Sequence, residues 1–453
     1  MRILTIAAVV LLMAGLTNVP TALAVAPPQV DRAMVPADGP PSPDQPMRQS
    51  TVCATGVAAS EPDVALPAAG FAMLNIGEAW RFSTGAGVSV AVIDTGVTPS
   101  PRLPAVAGGD YILGGDGLSD CDAHGTIVAS VIAAKASPTD GVVGVAPDAT
   151  VISIRQSSRA FAPTSFGAGD AEARRNAGTV STLARAIVHA ANLGARVINV
   201  SVTACVSSAE PLDQRAIGAA VWYAATVKDA VIVAAAGNEG DVGCAQNPTL
   251  DPGNPDDPRG WAGVRTISSP SWFSDYVLSV GAVTTAGLPI DKSLAGPWVG
   301  VAAPGVGVVG LSPHSAKPVN AHPPVRLGDK AVPFWGTSFS AAYVSGVAAL
   351  VRSRHPRLSA QQVVARILRT AHNPARGVDN AIGYGVVDPV AALTFAIPPG
   401  AITAPGPQTR MLTPAAPPPP PDHRARTGAI AVGVIVGVVV LLAPLLSLAR
   451  RAR

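Results

Sequence analysis

The sequence predicts an α/β domain, a parallel central sheet covered by helices on both faces, with one C-terminal transmembrane helix. Two observations predict the domain. Five short runs rich in β-branched residues and alanine, Val88 to Ile93, Thr150 to Ile154, Val197 to Val202, Val231 to Ala236 and Val277 to Val283, alternate with helical stretches such as Thr182 to Leu193 and Ser359 to Ala371. That alternation is the rhythm of strand, helix, strand units in a parallel sheet. The runs are also nearly continuous in apolar residues, as strands buried on both faces are. The third observation predicts the appendage. Residues 428–449 carry no charge, and about 22 residues at 1.5 Å each give roughly 33 Å of helix, enough to cross a bilayer core.

Composition leaves room for this plan and little else. The 453 residues are 48% hydrophobic and 13% charged, enough for one large domain with appendages. A net charge of +3 with scattered Lys and Arg excludes nucleic acid as the expected partner.

Taken in order, Arg2, the apolar run Ile3 to Leu16 and the small-residue site Ala22-Leu23-Ala24 read as a secretory signal peptide over residues 1–24. Residues 25–70 form an N-terminal extension, rich in proline and without strand or helix periodicity. It is too poor in pattern to fold alone and is expected to form a permanent belt around the domain. The domain itself occupies 71–396. A proline-rich stalk follows over 397–427, including Pro417 to Pro421; as polyproline II its roughly thirty residues reach about 90 Å. Within the membrane helix, Gly433 and Gly437 have the spacing of a helix-pairing face. Arg450, Arg451 and Arg453 then place the short tail, 450–453, in the cytosol and everything N-terminal to the helix outside.

Chemistry is concentrated at four places. Asp94 ends the run Val88 to Ile93, where open α/β sheets carry their sites. His124 opens an apolar segment running to Ala134, so its ring projects from the first turn of a helix, able to accept a proton from a hydroxyl. Ser338, in Gly336-Thr337-Ser338, opens a second helix whose continuation to Leu350 is almost all small or apolar; the helix N-terminus favours negative charge there. Asn238, flanked by Gly237 after the run Val231 to Ala236, offers an amide to a developing oxyanion, with the Ser338 backbone N–H as second donor. Acid, base and nucleophile in the order Asp, His, Ser spell a hydrolytic triad. A Gly-x-Ser-x-Gly elbow is ruled out because Ser340 stands at its fifth place. Cys121 and His124 lack a second ligand pair, so no metal and no cofactor are expected.

These four segments resemble the subtilisin-like serine proteases (subtilases, peptidase family S8), from about Leu74 to Leu393. With the signal peptide, paired cysteines and membrane anchor, and with phrases such as Met73 to Trp80 and Tyr343 to Arg354, the chain is similar to the mycosins, membrane-anchored subtilases of mycobacterial type VII secretion systems. The resemblance implies a subtilisin-like fold, a serine endopeptidase acting on peptide or protein substrates, and a type VII secretion membrane complex as partner. A rival role is a component that chiefly stabilises that complex. It implies Asp94, His124, Ser338 and Asn238 as the catalytic set, and Ser201, Val202 and Thr203 as one wall of the pocket for the residue before the cut. Subtilases usually have Gly where Thr203 stands, so a narrow pocket for small residues is expected. Other departures are Phe339, Ala342 and Tyr343 after the nucleophile and Ser130 after the histidine, all touching packing. Four cysteines in an exported chain make two disulfides, with three possible connectivities; the fold implied by the resemblance favours Cys53 with Cys121 and Cys205 with Cys244. The loops Arg155 to Val180 and Leu311 to Pro333 are long enough to suggest substrate or partner contacts. Asp251 to Pro258 reads as a solvated loop rather than a calcium site, and His189 as a structural helix residue.

Overall fold

The structure is a computed structural model that describes residues 25–165, 178–210, 213–248, 250, 254, 256–324, 326, 328–397 and 424–451. The expected signal peptide, most of the stalk, the tip of the loop 155–180 and much of 251–258 lie outside the described residues. In chain order the strands are β1 (Met47–Gln49), β2 (Ser89–Asp94), β3 (Ala105–Asp110), β4 (Thr150–Arg155), β5 (Phe161–Pro163), β6 (Val197–Val200), β7 (Ala204–Ser207), β8 (Val231–Ala235), β9 (Thr266–Ser269), β10 (Val277–Val283) and β11 (Val299–Pro304), followed by two short antiparallel strand pairings in the loop 310–333. The helices are α1 (Ala69–Met73), α2 (Ile76–Ala79), α3 (His124–Ala133), α4 (Val180–Asn192), α5 (Arg215–Trp222), α6 (Thr337–Arg354), α7 (Ala360–Thr370), α8 (Pro389–Thr394) and α9 (Arg424–Arg451).

A seven-stranded sheet in the order β11-β10-β8-β6-β2-β4-β3 organises the domain, and each neighbouring pair in it is parallel. Strand β2 shows why its sequence is apolar throughout. Val90 and Val92 face a cluster built with Ile127 of α3 and Val344 and Val347 of α6. Ala91 and Ile93 face the opposite cluster with Leu183 and Ile187 of α4 and Ile217 of α5. Each such Val or Ile contributes about 1.5–3 kcal/mol of burial. Helix α6 runs through the first cluster with every residue from Thr337 to Arg352 buried, which explains its lack of a polar face. Helix α7 begins with a capping box between Ser359 and Gln362.

The chain enters the sheet at β2, passes outward to β3 and β4, then crosses to β6 on the other side. The carboxyl ends of β2 and β6 therefore form the switch point at which such sheets build their sites.

Some expectations are corrected. The run Val197 to Val202 stops pairing at Val200, which frees Ser201 to turn toward α6. Edge strands β3 and β11 were not foreseen; their Gly, Ala and Pro content gives little intrinsic β signal, and pairing to β4 and β10 supplies it. The extension 25–70 is not featureless: Arg32–Met34 is a 3₁₀ turn and β1 pairs antiparallel with β5. Its order comes from distant partners. Asp38 meets His189 at 2.8 Å and Asn192 at 2.8 Å, Asp44 accepts from Thr179 and Arg185, and Ala59 N–H donates to Asn320. The disulfides Cys53–Cys121 and Cys205–Cys244 are both formed.

Residues from 408 onward form a separate unit containing α9. Among the described residues no helix is long and apolar enough to cross a membrane; side chains of α9 are described only over 428–440 and at 442.

Candidate active site

Asp94 is the last residue of β2 and is fully buried. Its Oδ1 accepts the Thr95 N–H at 2.7 Å and lies 2.7 Å from His124 Nδ1. His124 is the first residue of α3. Two local features allow so short a contact. Ala123 adopts a left-handed conformation, φ 63°, that turns the chain into the helix. Gly125 has no side chain because a Cβ there would stand 2.1 Å from the Gly96 carbonyl oxygen and 3.1 Å from Asp94 Oδ1. Burial pushes the imidazole down, but the charge and hydrogen bond of Asp94 outweigh it, and the ring titrates above its ordinary value. With Nδ1 held by the carboxylate, Nε2 has no hydrogen-bond partner among the described residues and is open to accept a proton.

Ser338 occupies the second position of α6, after Gly336, whose φ of 143° suits glycine. Its backbone N–H has no partner among the described residues. Its hydroxyl donates to the Ser201 carbonyl at 3.0 Å, and the Ser201 hydroxyl donates back to the Ser338 carbonyl at 3.1 Å. Asn199 supports this clamp, donating to Ser201 Oγ at 2.8 Å and accepting from Ser345 Oγ at 2.8 Å. The neighbouring Phe339 ring packs on His124, with centroids 5.4 Å apart. Asn238 follows β8 beside the start of α6. Its Oδ1 accepts from Thr337 N–H and Oγ1 at 3.0 and 3.1 Å, so its Nδ2 is the outward group. One Nδ2 hydrogen goes to Asp241 at 3.0 Å, leaving the other free. Val202 and Thr203 continue from Ser201 at partial exposure, ending at the Cys205–Cys244 bridge.

The structure thus joins Asp94 to His124, and Ser338 to Ser201, and holds Asn238 through Thr337. It does not hydrogen-bond Ser338 to His124. Sequence reasoning missed Asp241, Asp120 and the clamp formed by Ser201. It also missed a small pocket, partly open to solvent, lined by His124, Phe339, Phe334, His322, Thr55 and Gly56. A carboxylate close in sequence to His124 and another close to Asn238 were the available signals for the two aspartates.

The fold and this constellation have counterparts. The subtilase family matches residues 85–385, and Mycosin-2 of Mycobacterium tuberculosis is 53% identical over 96% of this chain and 96% of its own. The chain belongs to the subtilase family, within its mycosin group. This subtilase is a subtilisin-like serine protease. The solved serine protease MycP1, described as an essential component of the type VII (ESX-1) secretion system, superposes with a TM-score of 0.78 at 50% identity, over 82% of this chain and all of that one. A chain of the intact ESX-5 inner membrane complex gives 0.77 at 49% identity, over 92% and 99%.

The departures from the usual subtilase residues have structural uses. Ser130 Oγ donates to the Thr126 carbonyl at 2.7 Å and accepts the Leu311 N–H at 3.0 Å, tying the loop 310–333 to α3. Tyr343 is fully buried against Phe71, and burial holds its phenol above the ordinary range.

Proposed function

We propose that this subtilase is a membrane-anchored endopeptidase in which His124 Nε2 takes the Ser338 proton, Asp94 holds the imidazole through Nδ1, and Asn238 Nδ2 with the Ser338 N–H receives the oxyanion. The observation that carries the reading is the 2.7 Å Asp94–His124 contact at the sheet's switch point, with the Ser338 N–H free at the start of a buried helix. The Ser338 hydroxyl leaves the Ser201 carbonyl by a side-chain rotation and turns to Nε2. It then attacks the scissile carbonyl; His124 passes its proton to the leaving amine, and water hydrolyses the acyl-enzyme by the reverse sequence. Ser201, Val202 and Thr203 line the pocket for the residue before the cut, and the Thr203 side chain restricts that pocket to small residues. Substitution of Ser338 by Ala in the otherwise intact protein tests the assignment: hydrolysis disappears, and retained turnover removes Ser338 from its role.

Residues 1–24 act as an export signal, 25–70 remain as a permanent extension, and 397–427 form a stalk. Residues 428–449 span the membrane once, with the peptidase domain outside and 450–453 in the cytosol. The charge-free segment followed by Arg450, Arg451 and Arg453 supports this placement. Truncation after residue 427 should move the protein from the membrane to the soluble fraction.

The likeness to a chain of the ESX-5 inner membrane complex over 92% of this sequence supports association with a type VII secretion complex. It also favours a second reading, that the protein chiefly stabilises that complex. Complexes isolated from cells with no protein, intact protein or the Ser338→Ala form separate the two. Assembly lost only without the protein supports the scaffold; equal loss with the alanine form makes proteolysis the requirement.

A further inference from the structure

Asp120 lies four residues before His124 and is buried, with 4% of its surface exposed. Each carboxylate oxygen accepts two hydrogen bonds. Oδ1 takes the Thr95 hydroxyl at 2.8 Å and the Asp122 N–H at 3.0 Å; Oδ2 takes the Thr126 N–H at 2.8 Å and the Thr126 hydroxyl at 2.6 Å. Those partners are the neighbours of the acid and the base. Thr95 directly follows Asp94, and its Oγ1 also accepts the N–H of Gly125, the residue after His124, at 2.9 Å. Thr126 is the third residue of α3, whose own N-cap, Ala123, has no side chain able to cap it. Asp120 therefore caps the His124 helix from four residues upstream and lashes it to the end of β2.

No Lys or Arg is ion-paired with this carboxylate among the described residues, so its charge is held by neutral donors in a buried place. Burial pushes its titration up to about 6 while the Thr126 and Thr95 hydrogen bonds pull it back. The titratable and charged groups around it are Asp94 from β2, His124 from α3 and Asp122 from its own loop. Arg159 after β4 and His322 from the loop 310–333 act on the His124 side. Its negative charge adds to that of Asp94 in favouring the imidazolium.

We infer that Asp120 is a positioning residue of this protease, fixing the spacing of Asp94 and His124 through Thr95 and Thr126 and placing a second negative charge behind the imidazolium that forms during acylation. The inference rests on the triad reading given above and deepens it. It separates two contributions, geometry and charge, that two variants remove differently. Asp120→Asn removes the charge and mismatches one amide hydrogen against the hydroxyl donors. Thr95→Val keeps the charge and cuts the link to the strand that carries Asp94.

The test is the pH dependence of Ser338 labelling by a fluorophosphonate probe in the full-length membrane protein, with melting curves to establish folding and Ser338→Ala as control. Asp120→Asn should label roughly 10-fold or more slowly at neutral pH, with its acidic limb displaced to lower pH by about 0.5–1 unit, because the imidazolium loses a neighbouring anion. Thr95→Val should label more slowly with its acidic limb unmoved. An acidic limb unchanged in a folded Asp120→Asn, or a wild-type rate in Thr95→Val, overturns the inference and leaves the triad standing. Should Asp120→Asn fail to fold, the Thr95→Val rate decides alone. Labelling that persists in Ser338→Ala overturns the triad reading and this inference with it.

Discussion

The two halves of the site are in different states of assembly. On the α3 side, Asp94, Thr95, Asp120, Thr126 and His124 form a closed set of short hydrogen bonds, and the acid–base pair stands at 2.7 Å. On the α6 side, the Ser338 hydroxyl rests on Ser201 and one Asn238 amide hydrogen rests on Asp241. The difference follows from what each half does. The imidazole must already be oriented and electrostatically prepared when substrate arrives, since reorganising buried charge is costly. In the proposed mechanism Ser338 and Asn238 acquire their reacting partners only with a carbonyl present, and hydrogen bonds in a free active site often tighten only on binding.

The comparison breaks most visibly at the nucleophile. Ser338→Ala should leave melting unchanged and lower peptide hydrolysis at least about 10³-fold. An equal loss without the fold surviving would mean that the clamp to Ser201 serves stability rather than chemistry. Asn238→Ala comes next: kcat should fall about 10²- to 10³-fold with little change in KM, because the amide bonds mainly in the transition state. That magnitude is taken from subtilisin's own oxyanion asparagine. A rise in KM alone would show that Asn238 binds substrate in its ground state.

Smaller effects sharpen the contrast. Cys53 is bonded to Cys121, three residues before His124, across a separation of 68 residues, so replacing both by Ser should cost about 2–4 kcal/mol. The loss should appear as proteolysis before Gly70 while the sheet stays intact, and global unfolding instead would make the extension part of the core. Thr203→Gly should raise kcat/KM for peptides with Phe before the cut by about 10-fold relative to Ala; no change in that ratio removes Thr203 from the pocket wall.

The pH response should set the two halves against each other. His124 titrates above its ordinary value because of Asp94. The pair therefore stabilises the fold fully below the ordinary imidazole value, and that contribution is lost as pH rises through the raised one. Catalysis needs the neutral ring and climbs over the same window. Melting of the wild type against His124→Gln should show the larger difference at acidic pH, while activity increases toward alkaline pH. A parallel rise of both would contradict the assignment of the raised value to the Asp94 contact.

Much of this was legible in the chain. The proposed catalytic set, Asp94, His124, Ser338 and Asn238, could be singled out because each sits at the junction of a strand or helix whose apolar pattern is local. β10, predicted over Val277 to Val283, has those same bounds because its seven residues are buried on both faces. β3 and β11 were not legible, since Gly, Ala and Pro at the sheet edge pair only because a neighbour is already there.

The sequence by itself singled out the side chains of the proposed catalytic set and the central strands of the sheet, since residue type and periodicity are properties of a few adjacent positions. Only the tertiary structure decided what those side chains touch at rest. Ser201 reaches Ser338 across 137 residues, Thr337 reaches Asn238 across 99, and β1 finds β5 from the far end of the extension. Even Asp120, only four residues from His124, gains its position from Thr95 on β2, 25 residues away in sequence. Hydrogen-bond partners at such separations are chosen by how the elements pack, and no local pattern encodes them.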